Sequence, residues 1–371
     1  MNAKTLGTLR AILGCGLLWY GGAALAFTLI TPPPEQTTPS SDVTSAATFV
    51  TQTQPVVSAI RSQTLGLLLR KRARNMSMGA PVLAANGYTD TLSDFQLAAA
   101  TMGDAPGSGS GGSGTNSLWL SAAFNSQENT FSRTQFDGDT RNMLAGFDVT
   151  RSDRYVAGVA LGYEGSNYST QFNNGSEETS GYNLNPYFAY LLSDSWSVDL
   201  SLGHGAYNTR QTRQLAIPPL VIPPVNSEFS STRDYAAANL TNVLAAGNWK
   251  LTDALGAQGT RRKQDAYMET DGTSVAASNN TVHQWSFSTE ASYGRGNSEY
   301  FLGALYEDIR NPVKIEFASG EQPANDPTSV LVTAGWRYYG KGVSANFTFS
   351  SRQAQEQFTE YGVLMMFRID L

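Results

Sequence analysis

The chain has 371 residues, a formal net charge of -6 and a pI near 5.1. Nucleic-acid binders present a basic face, so this balance argues against that class of partner. Apolar residues make up an ordinary 41%, and the one long apolar run is N-terminal, which excludes a helical membrane protein.

Residues 1–26 read as a secretory signal peptide. Lys4 and Arg10 supply a positive start, Ala11 to Leu25 the apolar run, and Ala24-Leu25-Ala26 a cleavage site before Phe27. An uncleaved membrane anchor is the alternative. Ile12-Leu13-Gly14-Cys15 has too few apolar residues before it for a lipoprotein box. Cys15 is the single cysteine, so no intrachain disulfide is expected.

Residues 27–104 form a short passenger-like region without repeat or globular core. It opens on the Pro/Thr-rich stretch Thr31 to Ser40, which has too little apolar surface to fold alone. A helix is expected from about 54 to 76, with Val57, Ile60, Thr64, Leu67 and Leu68 on one side and a basic cluster, Arg70, Lys71, Arg72 and Arg74, at its end. A shorter helical stretch is expected from Ser93 to Met102. Residues 105–115, with Gly107 to Gly114 at their centre, are a flexible Gly/Ser linker.

From residue 116 to 371 the pattern changes to period two, the signature of strands that show alternate side chains to opposite faces. Leu118, Leu120, Ala122 and Phe124 form one apolar row; Tyr155, Ala157, Val159, Leu161 and Tyr163 another; Trp196, Val198, Leu200 and Leu202 a third. Twelve such strands can be counted, of which two, near 234–251 and 255–265, alternate poorly. The opposite faces are small or polar, as in Gly158, Ala160 and Gly162. A soluble sandwich would also bury one face. It would not usually bracket its apolar rows with aromatics, as Tyr155 and Tyr163, Tyr182 and Tyr190, and Trp285 and Tyr293 do here. Two aromatic girdles around an apolar band about 25 Å tall mark a transmembrane barrel.

The links carry the same message. Short turns at 150–153, 193–195, 252–253, 295–298 and 340–342 alternate with long polar links near 126–139, 165–178, 208–233, 266–280 and 311–327. Outer-membrane barrels pair short periplasmic turns with longer external loops. Pro186 falls mid-strand, where it removes a ladder bond and calls for a bulge. The terminal strand keeps Tyr361, Val363, Met365, Phe367, Ile369 and Leu371 on one apolar face. The fold class expected is therefore all-β: a 12-stranded antiparallel transmembrane barrel after a short helical or disordered N-terminal region.

Leu118-Trp119-Leu120, Gly146-Phe147-Asp148, Ala157 to Tyr163, Tyr182 to Leu191, Trp196 to Gly203 and the terminal strand, in this order and spacing, resemble the outer-membrane translocator domain of autotransporters (type V secretion). The resemblance spans about residues 116–371. It implies an N-terminal passenger exported to the cell surface, a helix threading the pore, and insertion by the barrel-assembly machinery, which reads a final strand ending in an aromatic. Here Phe367 is the last aromatic and Leu371 the last residue, and the passenger-like region has no β-helix.

The expected function is thus to translocate or anchor a short N-terminal segment in a bacterial outer membrane. That segment would lie in the periplasm or at the cell surface. Expected partners are outer-membrane lipid and the assembly machinery, with no nucleic acid, and the chain is expected to act as a monomer. A stand-alone pore or surface adhesin is the runner-up. A barrel-embedded lipase needs a serine beside a histidine oriented by a third group. Near His204 the candidate position is Ala206, and no Gly-x-Ser-x-Gly elbow occurs. His204 and His283 read as rim histidines, so no catalytic, cofactor or metal residue is assigned. Asp148, Asp199, Glu290 and Glu307 are expected to line an acidic lumen, partly compensated by Arg337, with the right sign to hold the basic cluster of Arg70 to Arg74.

Overall fold

The computed structural model describes residues 39–48, 52–62, 66 and 115–371, apart from 132, 153, 215, 218–219, 311–325 and 341. Twelve antiparallel strands close into one barrel. They are β1 (Thr115–Asn129), β2 (Phe136–Ser152), β3 (Tyr155–Thr170), β4 (Gly175–Leu191), β5 (Trp196–Arg213) and β6 (Val225–Ala246). The circuit continues with β7 (Trp249–Gln264), β8 (Ser278–Arg295), β9 (Ser298–Arg310), β10 (Thr328–Gly340), β11 (Val343–Gln353) and β12 (Phe358–Asp370). Each strand pairs with its sequence neighbour. β12 returns to β1 in register from Ser117 opposite Asp370 to Asn129 opposite Phe358, so no strand edge is left unpaired.

One end of the barrel carries the short turns and both barrel termini; the other carries the loops. The apolar rows face outward: Leu120, Leu161, Leu202, Leu302 and Phe367 are all more than half exposed. Aromatic pairs bracket the band, Tyr163 with Tyr182 at 5.4 Å near the loop end and Trp249 with Tyr293 at 5.1 Å near the turn end.

Several boundaries differ from the sequence expectation. The strands run from 11 residues in β11 to 22 in β6, against the ~9–11 needed to span a bilayer. Beyond the apolar band they continue as polar ladders, so the link expected at 165–178 shrinks to the four-residue turn 171–174. The turn expected at Thr252-Asp253 lies instead at Gly247-Asn248, with Gly247 at φ 59°. There β6 buries Tyr235, Ala237 and Val243 inside while placing Ala236 and Ala238 outside, which erases the contrast that period two relies on. Pro186 needs no bulge. The β4–β5 ladder skips Asn185 and Pro186 and resumes in the same register, Leu184 with His204 and then Tyr187 with Ser201.

Inside, six aromatic rings lie across a glycine of the neighbouring strand. The pairs are Trp119 over Gly146, Tyr168 over Gly138, Tyr187 over Gly158, Tyr207 over Gly181, Tyr235 over Gly203 and Phe301 over Gly335. At each glycine a Cβ would overlap the facing ring. The missing side chain is what lets a large ring lie flat along the wall of a narrow barrel. Replacing Gly203 by Val should cost about 1–3 kcal/mol through overpacking. The denaturant midpoint in detergent would report it, and Tyr235→Ala in the same chain should restore part of the loss.

The occluded pore as candidate functional site

The lumen is filled by the chain's own N-terminal region. Helix α1 (Ser40–Thr48) sits in the loop-end mouth. The Ser40 hydroxyl donates to the Thr212 carbonyl at 3.2 Å and shares a 2.9 Å hydrogen bond with the Thr170 hydroxyl, while the Asn173 amide donates to it at 2.9 Å. The Ser41 N–H donates to Gln211 at 2.9 Å, and Thr44 donates to the buried Glu177 carboxylate. Val43 packs with Phe136, Tyr168, Phe172 and Phe358. α1 carries no 3.6-residue signal, because its sequence, Ser-Ser-Asp-Val-Thr-Ser-Ala-Ala-Thr, has no apolar stripe. It fits a polar wall with hydroxyls.

A second helix covers 54–62, and Gly66 is again helical. Val56, Ala59 and Ile60, spaced i, i+3, i+4, bury themselves against Trp119, Leu144, Ala160, Tyr187, Tyr235, Ala237 and Met366. The other side is polar. Gln54 donates to Glu307 at 2.7 Å and accepts from Arg352 at 2.6 Å. Arg61 donates to the Ser288 hydroxyl at 3.1 Å, and the Asn346 amide donates to the Ser62 hydroxyl at 3.2 Å. The wall differs in the same way: five of the six rings over glycines lie on β1–β6, whereas the groups that meet the polar side of the helix stand on β8, β9 and β11. The rest of the helix expected to 76, Arg70, Lys71, Arg72 and Arg74 included, lies outside the described residues. So do the signal peptide of residues 1–26, the helical stretch at 93–102 and the core of the linker, 107–114.

The five ionisable residues expected in the lumen all have partners there. Tyr187 donates to Asp148 at 2.8 Å and receives the Trp119 indole N–H at 2.8 Å, with Arg368 at 3.8 Å from the same carboxylate. Asn239 donates to Asp199 at 2.7 Å. Arg337 grips Glu290 through two N–H groups, each at 2.7 Å, reaches Glu299 at 2.7 Å, and lies over the Phe301 ring at 3.9 Å. Glu307 is fully buried and accepts from Arg352, Gln54, Gln284 and Ser329.

Further cations stand among these carboxylates, so Arg337 is not alone in compensating the expected acidic lumen. Arg233 pairs with Glu164 at 2.6 Å, Lys250 with Glu299, Arg352 with Glu360 at 2.8 Å, and Arg368 with Asp370 at 2.7 Å. Arg233 and Lys250 lie in the two strands whose alternation is hardest to read, and their pairing across strands leaves no local signal. In this low-dielectric interior each of these ions lies beside a partner of opposite sign. Toward the turn end a cavity of about 210 Å³ remains, bordered by Arg61, Ser62, Lys250, Glu290, Glu299 and Arg337.

Tyr361, Phe367, Ile369 and Leu371 stand outward and exposed, with Val363 and Met365 half-buried among their neighbours. His204 is also outward, its Nδ1 2.6 Å from Asp234 of β6, and Ala206 follows it on the same face. Among the described residues no group of three or more His, Cys, Asp or Glu side chains could hold a metal ion.

The autotransporter beta-domain family model matches residues 118–310. The translocator domain of autotransporter NalP from Neisseria meningitidis aligns with a TM-score of 0.58 at 14% identity, over 71% of this chain and 90% of that one. The β-domain of the Bordetella autotransporter BrkA gives 0.56 at 16% identity, over 69% and 100%. The transport unit of AIDA-I from Escherichia coli gives 0.50 at 10% identity, over 76% and 99%. At these identities the likeness is one of fold. No curated protein matches the chain.

Proposed function

Because the chain belongs to the autotransporter beta-domain family and is an outer-membrane barrel, we propose that it anchors its own N-terminal segment in the pore and displays the part before Ser40 on the cell surface. The direction of the thread carries this reading. Ser40 bonds to Thr170 and Thr212 at the loop end, whereas Ser62 bonds to Asn346, three residues from the turn-end start of β11. With short turns in the periplasm and loops outside, the chain passes inward from surface to periplasm and reaches β1 at the turn end. A tag inserted after Thr31 should be cut by protease on intact cells. A tag inserted after Ser110 should be cut only after the outer membrane is opened. Protection of the first tag on intact cells would overturn the reading.

The barrel serves as conduit and anchor, without chemistry of its own, and works as a monomer, its closed sheet offering no edge for a second copy to pair with. Its assembly passes through the barrel-assembly machinery, and the outward row of β12, Tyr361 to Leu371, is the assembly signal. Phe367→Asp should lower the amount of heat-modifiable barrel in the outer membrane. A lipid-facing arginine at the midplane costs about 2–4 kcal/mol and an aspartate less, so normal membrane levels would argue against a signalling role for this row.

A further inference from the structure

The outward face where β12 meets β1 is not smooth. A groove of about 870 Å³ runs over Val363 and Ser126, walled by Phe124 and Met143 on one side and by Phe349 and Tyr361 on the other. Two cross-strand rows organise it. The row nearer the loops is Ser351, Tyr361, Ser126 and Asp139; the next, one step into the apolar band, is Phe349, Val363, Phe124 and Arg141. Arg141 is exposed and lies one outward position beyond Met143, whose row contains Tyr163 and Tyr182. It stands just past an interfacial aromatic pair, at the depth of lipid headgroups. Among the described residues it has no hydrogen-bond or ion-pair partner.

We propose that this groove binds a phosphorylated glycolipid of the outer leaflet, with its phosphate on Arg141 and one acyl chain along Phe124, Val363 and Phe349. The surroundings favour a lipid because this face already borders the bilayer, so an occupant needs no separate route to it. The guanidinium fork fits a phosphate through paired N–H groups. Asp139, two residues further toward the loops, repels a second bare anion at that point and accepts hydrogen bonds from hydroxyls. Ser126 and Ser351 add further polar contacts. A sugar headgroup supplies such hydroxyls above its phosphate; a choline headgroup does not. The apolar row below has the chemistry to hold part of an acyl chain, which packs between the two ring walls.

The test uses the purified full chain in dodecyl maltoside micelles, with retention read by native mass spectrometry. Equal amounts of diphosphoryl lipid A or dioleoylphosphatidylcholine are added. Lipid A should stay bound where phosphatidylcholine does not. Arg141→Gln should lower its retention by at least about tenfold, the loss of one charge-assisted pair. Phe124→Ala, which removes an apolar wall of the groove, should lower it too, with heat-modifiability unchanged in both. Arg210→Gln, at an exposed loop-end arginine paired with Glu228 at 3.5 Å, should leave retention as it was. Equal retention of lipid A by Arg141→Gln and the parent, or equal retention of phosphatidylcholine, would overturn the proposal.

Discussion

Deleting residues 40–62 should raise the single-channel conductance of the purified barrel in planar bilayers severalfold. Two plugs are lost at once. α1 leaves the loop-end mouth, where Val43 packs among four rings and Ser40, Ser41 and Thr44 bond to β3, β4 and β5. The helix at 54–62 leaves the middle, where Val56, Ala59 and Ile60 cover Trp119, Tyr187 and Tyr235. The wall that remains is sealed between strands, so ions gain a path only through the vacated lumen. Deleting 54–62 alone should give a smaller rise, since α1 still caps the mouth. A conductance unchanged in the longer deletion would show that neither helix limits the pore.

Arg352→Ala should cost about 3–5 kcal/mol of stability, because it strands two buried carboxylates. Arg352 is buried, pairs with Glu307 and lies 2.8 Å from Glu360, and also holds Gln54 of the pore helix at 2.6 Å. Without the guanidinium, Glu307 keeps Gln54, Gln284 and Ser329 as donors but no cation from this cluster. The midpoint of unfolding in detergent should fall accordingly. Replacing all three ions together, Arg352→Met with Glu307→Leu and Glu360→Leu, should cost less than the single change, since no charge is left unmatched. A triple variant as unstable as Arg352→Ala would mean that packing, not the uncompensated charge, sets the loss.

The charge network and the pore helix differ in how far they can be foreseen. The apolar stripe at 54–62 announces a helix: Val57 and Ile60, both on the expected stripe, pack into the aromatic cluster, joined there by Val56 and Ala59. Asp148 and Glu307 stand on the inward rows that alternation assigns, but their partners Arg368 and Arg352 become visible only through cross-strand register. α1 leaves no trace in periodicity at all.

Local sequence alone determined the barrel: period two in twelve strands, rings bracketing the apolar rows, and an alternation of short and long links. These follow from what each strand must present to lipid on one side, a constraint that acts residue by residue and so is written residue by residue. Only the tertiary structure decided how the lumen is filled. It set the glycines under the rings, the matching of every expected carboxylate with a donor, the start of β6 and β7, and the seat of α1 in the mouth. An inward side chain answers to partners on other strands, often more than a hundred residues away, as Ser40 answers to Thr170 and Gln54 to Glu307. That dependence runs through closure of the sheet, and no window along the chain contains it.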